Sequence, residues 1–288
     1  MIRHIKAGVK RALGQHRPGR SLLLLPDDVF LVSFPKSGNT WTRFLLGNLM
    51  FPDQPATFAN IHRLIPDPTG TSKKDFDNLP RPRIIKSHDC FDPRFPKVIY
   101  IVRDPRDVVV SQYHYHRKIK KIADDSPIET FVGRFMAGDT CPHGSWGQNV
   151  ITWLATRQDA SRFLLLRYED MVADTPRELA KIVAFLGKTA SPAQIARAVE
   201  RSSAGRMRKL EQTQTDDCEL MKGSRKDLSF VRAAGSGGWR SELPAPMVEK
   251  IEAAWGPIMR TLGYELTTRS ASELREHEFL GALSSTPR

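Results

Sequence analysis

Residues 29–41 read VFLVSFPKSGNTW, and within this stretch the chain changes from apolar to small, polar and cationic residues. The run from Val29 to Val32 is β-branched, aliphatic or aromatic, which is typical of a buried strand. From Gly38 to Met50 apolar residues recur at helical spacing. Pro35 to Thr40 are therefore predicted to form a tight turn before a helix, where main-chain N–H groups and the helix dipole favour an anion. Because Lys36 adds a full positive charge, the stretch predicts a phosphate-binding turn.

The turn differs from the Walker A loop, GxxxxGK[ST], of ordinary nucleoside triphosphatases. That motif needs two glycines, the second directly before its lysine, whereas Lys36 precedes the only glycine of this turn, Gly38. The difference argues against an ordinary nucleoside triphosphatase. Taken alone, the stretch also fits a strand, a turn and a helix with a solvated lysine, so the rest of the chain has to decide.

The charge of the chain points to anionic partners. It has 288 residues, with 44 Lys and Arg against 32 Asp and Glu, and a formal net charge of +12. Such a balance favours a nucleotide, a sulfated or phosphorylated ligand, nucleic acid or an acidic membrane surface. The composition is that of a globular protein, and neither a repeat nor a long linker divides the chain, so we expect one domain.

The two ends of the chain differ from its middle. Residues 1–20 carry six Lys or Arg and no acid, and their helical spacing predicts a basic amphipathic segment. This segment could touch an anionic membrane surface weakly, although a helix packed on the domain is favoured. We expect the domain at 21–267 and a loosely ordered tail at 268–288. The apolar run Leu22 to Leu25 is far too short for a transmembrane segment.

The three cysteines, Cys90, Cys141 and Cys218, are widely separated and show no CxxC spacing. Neither a disulfide framework nor a metal site is therefore indicated. This pattern fits a reducing, cytoplasmic compartment.

Three further apolar runs end in residues that could carry chemistry. The runs are Ile84-Ile85, Val98 to Val102 and Phe163 to Arg167, and they are followed by Lys86 and His88, by Arg103 and by Tyr168. Four strands separated by helical segments predict an α/β fold: a single domain with a central parallel sheet flanked by helices and a P-loop-like nucleotide-binding core. Ligands of such sheets bind beyond the carboxyl ends of the strands, where these residues would meet. A histidine beside a lysine at such an end is a candidate for acid–base chemistry.

Two stretches show little periodicity. Residues 51–83 are rich in Pro, Asp, Asn and Thr and are predicted to be an irregular connection bordering the site. Residues 205–238 are polar and basic, and are predicted to be a mobile cover rather than core. The aromatic residues Phe58, Phe131 and Trp146 could line a pocket for a lipophilic small molecule.

Together these segments resemble the cytosolic-type sulfotransferases, which transfer a sulfonate group from 3′-phosphoadenosine-5′-phosphosulfate (PAPS). The resemblance covers nearly the whole chain and rests on motifs in the family's order. Pro35 to Trp41 resembles the 5′-phosphosulfate loop, with Asn39 where Thr is more usual. Arg103 to Ser111 resembles the 3′-phosphate motif, and Lys86-Ser87-His88 is similar to Lys-Thr-His. The remaining matches are Tyr168 to Met171 at the adenine, Gly144 to Trp146 at the acceptor-side turn, and Phe230 to Trp239 as the late 3′-phosphate loop.

The resemblance implies roles for individual residues and PAPS as the co-substrate, with no metal required. His88 would be the base for a small-molecule hydroxyl acceptor, less favourably an amine, while Lys36 stabilises the leaving oxygen and Lys86 holds the sulfonate. Ser111 would also restrain Lys36 before the acceptor arrives. The donor-binding residues implied are Pro35, Lys36, Ser37, Gly38, Asn39, Thr40, Trp41, Arg103, Ser111, Tyr168 and Arg232.

The chain departs from the family in three places. The late loop usually reads Arg-Lys-Gly, but Arg232 is followed by Ala233 and Ala234. One cation toward the 3′-phosphate is thus missing, and Arg106 or Arg240 would have to compensate. Ala204 stands where an aromatic residue often stacks on adenine. The family's short carboxy-terminal dimer motif is not apparent, which leaves the oligomeric state open.

Two other functions compete with sulfonate transfer. A P-loop-type small-molecule kinase would also use a lysine-bearing loop at a strand end, but it would depend on magnesium. A non-catalytic basic protein that binds nucleotide or nucleic acid is the other alternative. It is disfavoured because the cations fall at strand ends rather than along one helix face, so we expect no nucleic-acid partner. The arginines after the third strand could also simply pair with Asp104 and Asp107.

Overall fold

The computed structural model describes residues 23–268, except for 69–70, 72–75, 157–160 and 215–220. The basic segment predicted at 1–20 lies outside these ranges, as does the predicted tail apart from Thr268. Within these ranges no helix is long and apolar enough to cross a membrane.

A four-stranded sheet forms the centre of the fold. Its strands are β1 (Val29–Ser33), β2 (Ile84–Ser87), β3 (Lys97–Val102) and β4 (Phe163–Arg167). They lie side by side in the order β2-β1-β3-β4, and every neighbouring pair is parallel. The predicted α/β fold with a central parallel sheet is therefore confirmed.

Helices connect and cover the strands. In chain order they are α1 (Asn39–Met50), α2 (Ile61–Leu64), α3 (Pro105–Lys118), α4 (Ile128–Ala137), α5 (Trp146–Thr156), α6 (Tyr168–Ala173), α7 (Thr175–Phe185), α8 (Pro192–Arg201), α9 (Ala204–Gln214), α10 (Trp239–Glu242) and α11 (Ala245–Thr261). Helix α3 begins as its sequence predicts, because the Asp104 side chain accepts a hydrogen bond from the Arg106 N–H and Pro105 is the first helical residue.

The sheet divides the core into two layers. Phe30 and Val32 of β1 pack in one layer, whereas Val29 and Leu31 pack in the other, as expected where successive side chains point to opposite faces. All five residues of β1 are buried. Helices cover both faces, which explains why the central strands are continuous apolar runs instead of alternating ones.

The structure corrects two predictions about irregular regions and pocket walls. Helix α9 occupies part of the predicted mobile cover, and Met207 and Met221 of that region are buried in the core. Phe58, Phe131 and Trp146 are 1%, 2% and 0% exposed, so they are core residues and not walls of an open pocket.

Because the four strands are parallel, their carboxyl ends share one edge of the sheet. Strand β1 leads into the turn at 35–40, and β2 ends directly before His88. Arg103 follows β3, and Tyr168 follows β4. The predicted meeting of these residues at one edge is thus a property of the fold.

Candidate active site

The turn after β1 is tight and leads directly into a helix. Lys36 and Gly38 have φ angles of 70° and 101°, in the left-handed region. The Ser37 N–H donates to the Phe34 oxygen at 3.2 Å, and helix α1 begins at Asn39. A tight turn that ends in a helix N-terminus presents N–H groups and a partial positive charge to an anion.

Gly38 is required by its contact as well as by its φ angle. A Cβ atom at this position would lie 2.6 Å from Cδ2 of Tyr168. The Tyr168 ring, at the start of α6, therefore packs directly against the turn. Trp41 meets the same ring edge-on, with 5.8 Å between ring centroids.

Polar side chains of the turn face different directions. The Asn39 amide is buried and donates to the Leu31 oxygen at 3.2 Å and to the Ser33 hydroxyl at 3.3 Å, so it ties the turn to β1. Its side chain therefore points inward, and its main-chain N–H is the group placed for an anion. The Ser37 hydroxyl is buried and has no hydrogen-bond partner in the described part of the chain. An unsatisfied buried hydroxyl is costly, and a bound phosphate oxygen would relieve it.

Arg103 joins the turn to the late part of the chain. Its guanidinium donates to the Lys36 oxygen at 3.2 Å and to the Gly235 oxygen at 3.0 Å. The same group lies 4.2 Å from the centroid of the Tyr168 ring. Its Nε atom is buried without a partner among the described residues, so one donor remains for a ligand.

The Lys36 ammonium group lies between two aromatic rings. It is 4.4 Å from the ring centroid of Tyr115 and 4.3 Å from that of Phe230. Burial, and then the neighbouring Arg103, lower the pKa of Lys36 to about 7. An anion bound at the turn would favour the protonated form of this lysine.

Ser111 does not restrain Lys36 in this structure. Among the described residues no hydrogen bond joins the two side chains, and the aromatic rings hold the lysine instead. Ser111 lies on α3, partly exposed, four residues before Tyr115 and therefore on the same helix face. The contact that the structure shows for Lys36 on this helix is with Tyr115, one turn after Ser111.

His88 is held with one nitrogen toward β1. Its Nδ1 atom lies 2.7 Å from the Ser33 main-chain oxygen, and 3.5 Å from the hydroxyl of the same residue. A carbonyl oxygen only accepts, so Nδ1 carries the proton and Nε2 keeps its lone pair. Burial, then the charge of Lys86 and the ring of His143, hold the pKa of His88 well below its usual value. The imidazole is therefore neutral at physiological pH.

Two residues support His88 from the side of α5. The Asn149 amide donates to the His88 main-chain oxygen at 3.1 Å, and Tyr100 donates its hydroxyl to the Asn149 side-chain oxygen at 2.8 Å. His143 places its ring edge-on to His88, with centroids 5.5 Å apart, and lies 3.5 Å from the Asp89 carboxylate. The turn before α5 thus lies beside the base.

Lys86 is engaged by a carboxylate. Its ammonium lies 2.5 Å from an Asp67 oxygen, and the lysine is buried. Burial lowers the pKa of Lys86, while Asp67 opposes that shift. The lysine is close enough to His88 to lower the pKa of the imidazole. Lys86 and His88 are therefore brought together as predicted, with Asp67 as an unforeseen partner.

The arginines at the predicted 3′-phosphate end have different surroundings. Arg106 is buried and paired with Asp104 at 2.6 Å and with Glu252 at 2.5 Å, so it cannot compensate for the missing cation. Arg240 is exposed and stacks on Trp239, 4.6 Å from the ring centroid. Arg232 donates to Glu242 at 2.6 Å. The interpretation that the arginines pair with local acids is thus correct for Arg106 and wrong for Arg103.

Several residues of the site were not found from the sequence: Tyr115, His143, Asn149 and Glu242. Tyr115 could have been found, because it lies four residues after Ser111 on a predicted helix. The others lie far in sequence from what they contact, and no local pattern marks them. Within the described ranges no group of three or more His, Cys, Asp or Glu side chains could hold a metal ion.

Comparisons with known proteins agree with this geometry. The family model described as "Sulfotransferase domain" matches residues 26–263. Sulfotransferase 1A1 from Bos taurus is 30% identical over 258 residues, which cover 84% of this chain and 86% of the relative. A crystal structure of a mouse sulfotransferase complexed with PAP is 25% identical and covers 90% of each chain, with a TM-score of 0.65. Retinol dehydratase in a complex with retinol and PAP shares the fold at 22% identity, with a TM-score of 0.68 and coverage of 91% and 88%.

Proposed function

The chain belongs to the sulfotransferase domain family and is a sulfotransferase, and we propose that it transfers the sulfonate of PAPS to a hydroxyl group of a small molecule, less favourably to an amine. One observation carries the finer part of this proposal. His88 presents an unprotonated Nε2 at the same sheet edge as the anion-binding turn, because Nδ1 is bound to the Ser33 oxygen at the end of β1. The proposed base for the acceptor and the proposed binding turn for the donor are thus both held at the end of β1.

Several features support donor binding at the turn. The residues at 35–41 offer helix N-terminal N–H groups, and Ser37 and Arg103 each have a buried polar atom without a partner in the described chain. Phosphate and sulfonate oxygens are acceptors only, so these donors fit them. The mouse relative was crystallised with PAP, the product left after sulfonate transfer. Tyr168 and Trp41 are proposed to contact the adenine side of the donor.

The proposed reaction is an in-line transfer. The acceptor oxygen forms a bond to sulfur while the bond from sulfur to the bridging phosphate oxygen breaks, and its electron pair leaves with that phosphate. The acceptor proton moves to Nε2 of His88. The Lys36 cation stabilises charge on the leaving oxygen, and Lys86 stabilises the sulfonate. Lys36 and Lys86 provide the positive charge that the transfer requires.

The acceptor is proposed by chemical class. A hydroxyl group suits a neutral imidazole base, which takes the proton as the new bond forms. We further propose that the protein works in the cytoplasm, because its three cysteines are widely separated in sequence and show no CxxC spacing, which fits a reducing compartment. We propose no nucleic-acid partner, because the cations of the site, Lys36, Lys86 and Arg103, lie at strand ends and not along one helix face.

Calorimetry tests the donor first. PAP should bind far more tightly than 5′-AMP, because Arg103, Ser111 and Arg232 would face an empty 3′-phosphate position with AMP. Charge-assisted contacts are each worth about 1.5–3 kcal/mol, so a ratio of at least tenfold is expected. Equal affinities would contradict the proposal. Labelled PAPS with a panel of phenols, sterol-like alcohols, glycans and amines then identifies the acceptor class, and ATP with magnesium tests the kinase alternative.

A further inference from the structure

Helix α3 presents one continuous face to the segment at 225–242, which we call the closing segment. The residues of this face are spaced by four, three, one and three positions: Asp107, Ser111, His114, Tyr115 and Lys118. Such spacing places them in one stripe along the helix. Four of the five contact the closing segment directly.

The two ends of the stripe anchor the closing segment through its main chain. Lys118 is buried and donates to the oxygens of Arg225 at 3.0 Å and Leu228 at 2.5 Å. Asp107 accepts from the N–H groups of Gly237 at 2.6 Å and Trp239 at 3.0 Å. Both ends of the closing segment are thus fixed relative to α3.

The middle of the stripe is different. The His114 Nε2 atom lies 2.5 Å from one oxygen of Glu242, and the other oxygen accepts from Arg232 at 2.6 Å. One carboxylate therefore holds an imidazole of the helix and a guanidinium of the closing segment together. Because a carboxylate only accepts, Nε2 of His114 carries a proton in this contact.

Ser111 lies one turn before His114 and is the fifth member of the stripe. Its hydroxyl is partly exposed and makes no hydrogen bond to the described residues. Side chains three residues apart on a helix are about 5–6 Å apart at Cβ. A small anion at Ser111 would therefore be within reach of His114 and of Arg232, which shares its carboxylate partner.

We propose that His114 binds the 3′-phosphate of the donor together with Ser111 and Arg232, and that Glu242 is a positioning residue for His114 and Arg232. The inference rests on the proposed donor and extends it by two residues. Ala233 and Ala234 bring no cation to the proposed 3′-phosphate position, and Arg106 is paired with Asp104 and Glu252. In its imidazolium form His114 supplies the second donor from the helix: Nε2–H stays on Glu242 and Nδ1–H is the donor for the phosphate, whereas the closing segment supplies only Arg232.

The arrangement also explains how the Glu242 carboxylate can lie beside a site that binds an anion. Both Glu242 oxygens are occupied by N–H donors, so its charge is balanced before the anion arrives. Arg232 uses one terminal nitrogen for this contact and makes no other side-chain hydrogen bond within the described ranges. Its remaining N–H groups are available, and the carboxylate fixes the plane in which they lie.

The test compares the affinities of PAP and 5′-AMP, which differ only by the 3′-phosphate. In His114→Gln the amide can still donate to Glu242, but the imidazole is lost. We expect the preference for PAP over AMP to fall about tenfold or more, with AMP affinity unchanged within about twofold. Arg117→Gln, which removes a positive charge three residues further along α3, is the control and should keep the wild-type preference. An unchanged preference in His114→Gln would overturn the proposal.

Glu242 is tested by separating binding from turnover. Glu242→Gln should raise the donor KM and lower the preference for PAP, while kcat at saturating donor stays within about twofold of wild type; Glu242→Asp should restore part of the preference. Equal weakening of PAP and AMP would mean a merely structural role and would refute the assignment. Melting curves check folding, and His114→Asn replaces His114→Gln if the latter does not fold. If wild type itself does not prefer PAP, the proposed donor fails, and with it this inference.

Discussion

The Nδ1 atom of His88 lies 2.7 Å from the main-chain oxygen of Ser33. Ser33 is the last residue of β1, and the chain continues from it directly into the turn at 35–40. The strand that leads into the proposed anion-binding turn therefore also selects the tautomer of His88. A movement of the end of β1 would therefore disturb both the turn and His88. A substitution of the His88 side chain tests the proposed base without changing the turn.

Replacement of His88 by Asn should separate chemistry from binding. The amide cannot accept a proton at neutral pH, whereas the proposed donor contacts lie on other residues. We expect turnover to fall by about 10²–10⁴-fold with PAP affinity nearly unchanged. Calorimetry and initial rates on an identified acceptor measure the two effects. Full turnover in the variant, or loss of PAP binding, would show that His88 is structural and that another group accepts the proton.

The rate should fall at acidic pH, where His88 becomes protonated, and the low pKa of His88 sets where this fall begins. Burial, Lys86 and His143 lower this pKa below 6.5, so the neutral base persists down to more acidic conditions than for a free histidine. At saturating PAPS, which keeps Lys36 protonated, kcat/KM for the acceptor should be level near neutrality and fall only as pH drops below about 6.5, through the lowered pKa of His88. A pH profile between roughly 4.5 and 8 checks this. A half-point above 6.5 would be incompatible with His88 in this environment.

Lys36 should make donor affinity depend on pH. Its pKa is about 7 without ligand, and an anion favours the protonated form, so PAP affinity is high below that pKa and falls as pH rises through it. The fall should approach tenfold per pH unit until the higher pKa of the complex is reached. Lys36→Arg, which does not titrate, should give a flatter profile and serves as the matched variant. Parallel profiles for both proteins would argue against the assigned environment.

Lys36→Ala should also reduce the rate about 10²-fold or more, because a cation near the leaving oxygen is lost. Thermal melting should change little, since Lys36 is only partly buried as a residue and forms no salt bridge with the described residues. Initial rates at saturating donor and melting curves give the two readouts. Near-normal turnover with unchanged melting would mark Lys36 as a solvated turn residue.

Gly38→Ala should damage the donor site by two effects. A residue with a Cβ atom at a φ of 101° costs about 1–2 kcal/mol, and the added atom would meet the Tyr168 ring at 2.6 Å. Tyr168 supports Arg103, so we expect PAP affinity to fall at least about tenfold. Gly187→Ala is the control: its φ is 66°, nothing lies within 4 Å of an added Cβ, and only stability should decrease. Equal PAP affinity in both variants would exclude the contact as a determinant of the site.

The strands and their ends were predictable because they depend on local pattern. Val29 to Val32 and Val98 to Val102 are continuous apolar runs, and β3 ends at Val102 as predicted. In a parallel sheet, the carboxyl ends of the strands meet at one edge whatever their order. Local sequence was therefore enough to bring Lys36, His88 and Arg103 to one region of the fold.

Burial of particular aromatic residues was not predictable in the same way. Trp146 follows a glycine-bearing turn next to the site, yet it is fully buried and donates its indole N–H to the Arg103 oxygen at 3.0 Å. An aromatic side chain packs equally well in a core or a pocket wall, and sequence spacing does not say which side of a helix faces the ligand.

By itself the sequence determined the parallel sheet, the anion-binding turn and the strand end at which His88 lies, since each follows from residues close together in the chain. Only the tertiary structure decided what surrounds these groups. The Phe230 ring contacts the Lys36 ammonium although the two residues are nearly 200 positions apart in sequence. The main-chain oxygen of Ser33, at the end of β1, selects the tautomer of His88, which follows β2. The pKa of each group depends on burial and on neighbouring charges that are distant in sequence, and those are set when the strands and helices pack.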